Sequence, residues 1–365
     1  MKCKNLRIII TILLGTFIMT GCSFTKKTSI PKSNKYQTKV NSVVYTSLNN
    51  KQKNIYIALV EGMCDIQKEI KVLGNLNDIK IAYEAIEADH PEIFYVDGYV
   101  YNEKNTIIGN KTNNIIIFPN YTCKKEEINI LKNQFNNIQK SFLRKIDITK
   151  TEYEKSKQIY ELLVNEFSYD KDSNAEKNVF AAFLKKKTGS KGYAKAYTYL
   201  MQKAGIPCAN VSGKYNNGTY TWNVSIINKK MYLSDVTNGD SSLVSSTGKQ
   251  ISNVNYGYFN MNPAFAKRYI TKEILTDIAF KSMEANYYVK NGTYFSDYNK
   301  DNIEKAILNA KNKGDKEISL SFGTVDTLRY VKNFFFDNKH IQDILGDSKL
   351  NYSVDENVNT LTILF

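Results

Sequence analysis

Five short blocks decide the reading: Gly189-Ser190-Lys191-Gly192-Tyr193-Ala194-Lys195-Ala196-Tyr197, Ala204-Gly205-Ile206-Pro207-Cys208, Val211-Ser212-Gly213, Tyr220-Thr221-Trp222-Asn223 and Tyr232-Leu233-Ser234-Asp235-Val236-Thr237. Ala194, Tyr197, Leu200, Met201 and Ala204 recur at three- and four-residue spacing, which predicts a helix opening near Ser190. Gly205 stops it, and Pro207 has no N–H with which to continue it. Cys208 to Ser212, Thr219 to Ile227 and Met231 to Asp235 then read as consecutive antiparallel strands, the first two joined by an Asn216-Asn217-Gly218 turn.

Upstream, Thr151 with Glu154 forms a capping box for a helix whose buried face carries Tyr153, Tyr160, Leu163, Val164 and Phe167. Nearer the N-terminus, Ile55, Leu59, Met63, Ile66 and Ile70 predict one helix, and Ile79 to Ala88 a second that ends near His90-Pro91. Ile93 to Tyr101 and Ile115 to Phe118 read as strands, with turns at Gly98 and Lys104 to Asn114, and Lys125 to Leu143 as a further helix. Beyond Pro263, helices are expected over Lys272 to Ala285, Asp301 to Lys313 and Val325 to Phe336. Strands are expected over Glu317 to Phe322, Leu350 to Val354 and Thr360 to Leu364. These patterns make the chain α+β.

The chain has 365 residues and a formal net charge of +14, with 42% hydrophobic and 24% charged residues. That composition is globular and excludes a wholly disordered protein. Lys2, Lys4 and Arg7 precede a twelve-residue apolar run from Ile8 to Met19. Such a run makes roughly 18 Å of helix, too short for a hydrocarbon core of about 30 Å, and reads as a signal peptide. Met19-Thr20-Gly21-Cys22 resembles a bacterial lipobox, with Met19 where Leu is preferred, which implies lipidation of Cys22. The Lys-rich stretch that follows suits a tether beside an anionic membrane. An exported chain rarely meets nucleic acid, so the basic charge is assigned to solubility and no nucleic-acid partner is expected.

Cys64, Cys123 and Cys208 are an odd number for a disulfide framework and read as small packing residues. Five Cys and two His argue against a metal or haem framework, and no cofactor is expected.

In order and spacing, the blocks from Thr188 to Thr237 resemble the transglutaminase-like, papain-like superfamily core. The resemblance implies Cys where Ser190 stands, His where Tyr220 stands, and Asp at Asp235; only the last is present. In that family a helix N-terminus favours a thiolate, a histidine holds the proton and the aspartate orients the ring. A serine hydroxyl is too weak an acid for this device and needs a base, and Tyr220, with an ordinary pKa near 10, is a poor one. Losing nucleophile and base together costs on the order of 10⁶ in rate. We expect a polar knot instead, with Tyr220 or Ser190 donating to Asp235, since a buried carboxylate needs a partner. His90, within Asp89-His90-Pro91-Glu92, reads as a hydrogen-bonded turn residue, His340 as the C-terminal partner of an apolar helix, and Cys208 as a packing residue. Trp222, Tyr193 and Asn223 are expected to line a cleft.

The resulting organisation is a signal peptide (1–21), a basic flexible tether (22–45), an N-terminal α+β region (46–147), a transglutaminase-like domain (148–262) and a C-terminal α/β region (263–365). The expected function is that of a cell-surface lipoprotein, held to the membrane by its lipid anchor, whose degenerate domain binds an extracellular protein segment or a cell-wall peptide without catalysis. The alternative is a serine-nucleophile amidase, protease or acyltransferase.

Overall fold

Asn49 starts the first long helix because its side chain accepts from Gln52 N (3.0 Å) while Gln52 Oε1 accepts from Asn49 N (3.1 Å), satisfying two otherwise orphaned donors. The structure is a computed structural model describing residues 42–104, 113–170, 178–215, 218–240, 254–267, 270–271, 280–346 and 350–365. The expected signal peptide, Cys22 and the Asn216-Asn217 turn lie outside the described residues, as do 105–112 of the expected turn and 272–279 of the expected helix.

A short α1 (Val44–Ser47) precedes α2 (Asn50–Cys64). Val43 and Val44 are buried, although they fall among the last residues assigned above to a flexible tether. The apolar spacing extends α2 to Ile70, but the helix stops at Cys64. Ile66 adopts φ 55° and Gln67 N closes on Gly62 O (2.8 Å), the six-to-one bond of a Schellman ending, here without its usual glycine. Ile70 instead opens β1 (Ile70–Gly74), followed by α3 (Leu76–Asp89), β2 (Val96–Lys104), β3 (Asn113–Tyr121) and α4 (Lys125–Leu143). β3 lies between β1 and β2, antiparallel to both.

The middle of the chain runs α5 (Glu152–Glu166), β4 (Ser168–Tyr169), α6 (Val179–Lys185), β5 (Lys187–Thr188) and α7 (Ser190–Lys203). Next come β6 (Cys208–Tyr215), β7 (Gly218–Ile227), β8 (Lys230–Ser234) and α8 (Val236–Gly239), then α9 (Pro263–Ala266) and β9 (Ile270–Thr271). The strand order β8-β7-β6-β9 is antiparallel throughout and makes β7 an inner strand. Thr151 caps α5 in the box that its sequence predicts. α7 packs across β6 and β7 with α5 and α6 behind it, which buries Tyr193, Ala194, Ala196, Tyr197, Leu200 and Met201 around most of its circumference. Gly192 is needed for this seat, because a Cβ there would lie 1.9 Å from Thr188 Oγ1.

Residues 280–285, expected to close a helix, are not helical. The next helix, α10 (Tyr287–Asn291), starts only where Asn286 Oδ1 accepts from Tyr288 N (3.0 Å). It leads to β10 (Tyr294–Phe295), α11 (Lys300–Lys313), β11 (Glu317–Phe322), α12 (Val325–Lys332), α13 (His340–Leu345), β12 (Asn351–Asp355) and β13 (Thr360–Leu364). The sheet order is β10-β11-β13-β12. The helix expected through Phe336 changes at Asn333, where the bonding widens into a π turn and Asn338 N reaches Asn333 O (2.9 Å).

One apolar core runs from Val43 to Ala285 and takes in Val358; a second holds Ile303, Ile307, Leu320, Phe322, Leu328, Phe335, Leu361 and Ile363. Each such side chain, fully buried, contributes about 1.5–3 kcal/mol before entropy is counted.

Candidate functional site

α7 opens at Ser190 with Gly189 at its N-cap, no side-chain cap and no acidic residue in the first turn. The orphan N–H groups and the helix dipole therefore keep that end electropositive. Ser190 is half-buried, and among the described residues its hydroxyl makes no hydrogen bond to Tyr220 or Asp235.

Asp235 follows β8 directly and is fully buried as the N-cap of α8. Its Oδ1 accepts from Asn238 N (3.0 Å) and from the Tyr220 hydroxyl (3.1 Å), and its Oδ2 accepts from Asn238 Nδ2 (2.7 Å). Its own N–H donates to Tyr258 O (2.9 Å). Tyr220, half-buried on β7, is thereby fixed as a donor. Burial and the adjacent Asp235 charge push its hydroxyl well above the ordinary value for a phenol, so it holds its proton. The structure thus makes the Tyr220–Asp235 bond that the sequence suggests, and leaves Ser190 outside it.

A second pair closes the other end of α8. The Tyr193 hydroxyl donates to Asp240 Oδ2, and Asp240 is the C-cap residue. Burial raises the Asp240 carboxyl to about 6, with the Tyr193 hydroxyl partly offsetting it. Burial, together with Asp240, raises the Tyr193 hydroxyl far above its usual range. Two tyrosine–aspartate bonds therefore clasp α8 between α7 and β7. Sequence reasoning missed Asn238 and Asp240. The Asp-x-x-Asn spacing from Asp235 is a capping signal that finds Asn238; nothing local marks Asp240. Lys195, half-buried on α7, was missed as well: burial and the neighbouring Lys191 lower its ammonium to about 8.

Trp222, Asn223 and Tyr193 do not line a cleft. Their exposures are 0%, 1% and 0%. β7 is an inner strand covered on both faces from Thr221 to Ser225, so an aromatic there packs whichever way it points. Asn223 fastens the sheet to the helix, its Nδ2 donating to Ala194 O (2.8 Å) and Thr198 Oγ1 (2.9 Å).

Among the described residues no hydrogen bond joins either imidazole to Ser190. His90 caps α3, its Nδ1 pairs with Glu92 Oε1 (2.8 Å) and its ring lies 5.6 Å from that of Tyr56. His340 begins α13 rather than ending a helix, stacks on Phe334 at 4.2 Å and pairs with Asp343 (3.2 Å). Cys208 is buried in the core, where desolvation raises its thiol far above a reactive value; Cys64 and Cys123 are half-buried. Among the described residues no group of three or more His, Cys, Asp or Glu is arranged to hold a metal ion.

A helix packed across an antiparallel sheet, with an aspartate after the third strand, fits a papain-like α+β core. Residues 140–248 match the model of the transglutaminase-like superfamily, and the chain therefore carries a transglutaminase-like domain. Solved structures with some likeness include a candidate cysteine protease from Cytophaga hutchinsonii (13% identity, TM-score 0.26, covering 38% of this chain and 62% of that one). Another is a TGase (15% identity, TM-score 0.27, covering 51% and 56%). The chain thus spans less than two thirds of the length of either. Comparison with curated proteins returns no match.

Proposed function

We propose that this is a lipid-anchored, extracytoplasmic protein whose transglutaminase-like domain no longer catalyses acyl transfer and serves as a binding or scaffolding module for a protein segment or a cell-wall peptide. One observation carries the reading: Tyr220, at the position where the resemblance implies histidine, spends its hydroxyl proton on Asp235 and is held protonated by burial and by that same carboxylate. Among the described residues Ser190 is hydrogen-bonded to no base, and a helix terminus cannot ionise an unassisted hydroxyl.

The test is incorporation of a fluorescent amine into a glutamine-containing acceptor. The native protein and Ser190→Ala should be equally silent. The Ser190→Cys, Tyr220→His double variant should gain activity, because the α7 N-terminus is uncapped and favours a thiolate, while Asp235, already bonded to the side chain at position 220, would orient an imidazole there. Native activity that disappears in Ser190→Ala would establish the serine-nucleophile amidase or acyltransferase instead. For the anchor, Cys22→Ser should move the protein from the membrane fraction to the soluble one and abolish incorporation of labelled palmitate; co-sedimentation with purified cell wall tests the ligand class.

A further inference from the structure

A cavity of about 280 Å³ lies where the middle of the chain meets the C-terminal sheet, far in sequence from Ser190 and sharing none of its residues. Tyr256 and Tyr287 wall one side as a parallel stack, centroids 3.8 Å apart and planes 2° from parallel. The Tyr256 hydroxyl is bonded to Glu161, which fixes the stack. These rings already attract an ammonium: Lys157 Nζ, ion-paired with Glu161 (2.6 Å), sits 5.3 Å from the Tyr256 centroid and 5.9 Å from that of Tyr287.

Facing this wall is Glu317, on the inner strand β11. Its carboxyl is half-buried and, among the described residues, has neither a hydrogen bond nor an ion pair; burial alone moves its pKa, and moves it upward. The buried Thr293 Oγ1, also lining the cavity, likewise has no partner there. The other charged lining residues, Lys313 and Asp315, are exposed and offset one another, so the charge of Glu317 is left uncompensated inside. A half-buried carboxylate without a partner is costly, and the same low-dielectric setting strengthens any bond made to it. An anion would be repelled, and a neutral polyol would leave the charge unpaired.

We propose that this cavity is a binding site for a primary alkylammonium group, the Glu317 carboxylate and Thr293 hydroxyl accepting its N–H bonds and the Tyr256–Tyr287 pair bordering its alkyl chain. The site is independent of the function proposed for the Ser190 region.

The experiment titrates the full chain by calorimetry with three probes of equal length, n-pentylammonium, n-pentanol and n-pentanoate. Pentylammonium should bind at least about ten-fold more tightly than pentanol, the factor expected of one charge-assisted contact, and pentanoate should show no saturable binding. Glu317→Gln, nearly isosteric, should erase the gap between amine and alcohol, whereas Ser190→Ala should leave it intact. Absence of saturable amine binding, equal affinities for amine and alcohol, or an unchanged gap in Glu317→Gln would each overturn the assignment. The comparison among probes on the native protein stands even if the variant misfolds.

Discussion

Tyr220 shows how one residue converts an expected reactive group into a structural one. With an imidazole at that position, Asp235 would orient a base; with a phenol, the carboxylate receives a proton donor that it also makes less acidic. Tyr220→Phe should therefore leave the fold intact but lower its stability by about 1.5–2 kcal/mol, the lower range for a hydrogen bond to a charged group, because Asn238 still supplies two donors to Asp235. Urea denaturation measures this as a lower midpoint at unchanged m-value; an unmoved midpoint would mean that the Tyr220–Asp235 contact carries no stability. Asp235 was legible because a carboxylate ending a strand after that block order is part of the resemblance, and its need for a donor pointed to Tyr220. Trp222 and Asn223 were misread because side-chain type does not reveal that both faces of an inner strand are covered. Only the packing of α7 over β7 settles that.

At the scale of elements, what could be read was local periodicity and capping, and what could not was chain reversal against propensity. α4 and β13 run over the predicted residues, and α7 starts at Ser190 as its stripe implies. α2 instead ends where Ile66 turns left-handed, a conformation no local rule assigns to isoleucine, because Ile70 is needed opposite Ile117 in the sheet. The end of α3 shows a further element-level device. Burial opposes charge on His90, yet Glu92, by charge and hydrogen bond, and Asp89 raise its pKa above the ordinary imidazole value. Burial likewise opposes ionisation of Glu92, and the charge and hydrogen bond of His90, together with a backbone hydrogen bond and Lys203, lower that pKa. A raised histidine stabilises fully below its unfolded pKa near 6.5 and loses that contribution as pH rises through the folded value; a lowered glutamate stabilises above its unfolded pKa near 4.3 and loses it as pH falls through the folded one. The pair is thus most stabilising between about pH 4.3 and 6.5. Asp89, raised mainly by burial, also makes stability fall as pH climbs, whereas Lys195, lowered to about 8, acts in the opposite sense at alkaline pH. The informative quantity is therefore a difference. Between pH 6 and pH 8.5 the native protein should lose more unfolding free energy than Glu92→Gln, by urea titration at each pH, and parallel losses would show that the pair is not coupled to folding.

For the whole molecule, the sequence suggests separate N-terminal and middle regions, but the packing gives them a common core. Buried side chains from both regions share one apolar cluster, and Gln202 on α7 donates to Asp89 O (2.8 Å) while Asn210 on β6 donates to Ala88 O (2.7 Å). Contacts so distant along the chain leave no periodic trace, which is why the boundary near residue 147 looked like one in the sequence. The C-terminal sheet does keep its own core and meets the first at a seat where Val358 enters that first core. Asp355 Oδ2 accepts from Asn255 Nδ2 (3.0 Å) and from the Tyr258 hydroxyl (3.3 Å), and Gly257 admits Val358 so closely that a Cβ there would lie 2.4 Å from its Cγ2. Tyr258 O in turn accepts from Asp235 N, so the seat lies one residue behind the Asp235 cluster. Asp355→Ala removes the two bonds to its Oδ2, and the local one from Asn357 N to Oδ1 (2.9 Å), without touching either apolar core, and should cost about 1–3 kcal/mol, concentrated at the seat. Hydrogen exchange followed by mass spectrometry should show faster exchange in peptides covering 254–260 and 350–358, with β3 and α4 unchanged, because a local opening need not involve the elements far from it. Uniform acceleration across all peptides would instead mean that the two cores unfold as one unit and that Asp355 supports the fold globally, while no acceleration anywhere would show that Val358 seats the sheet without the help of the carboxylate.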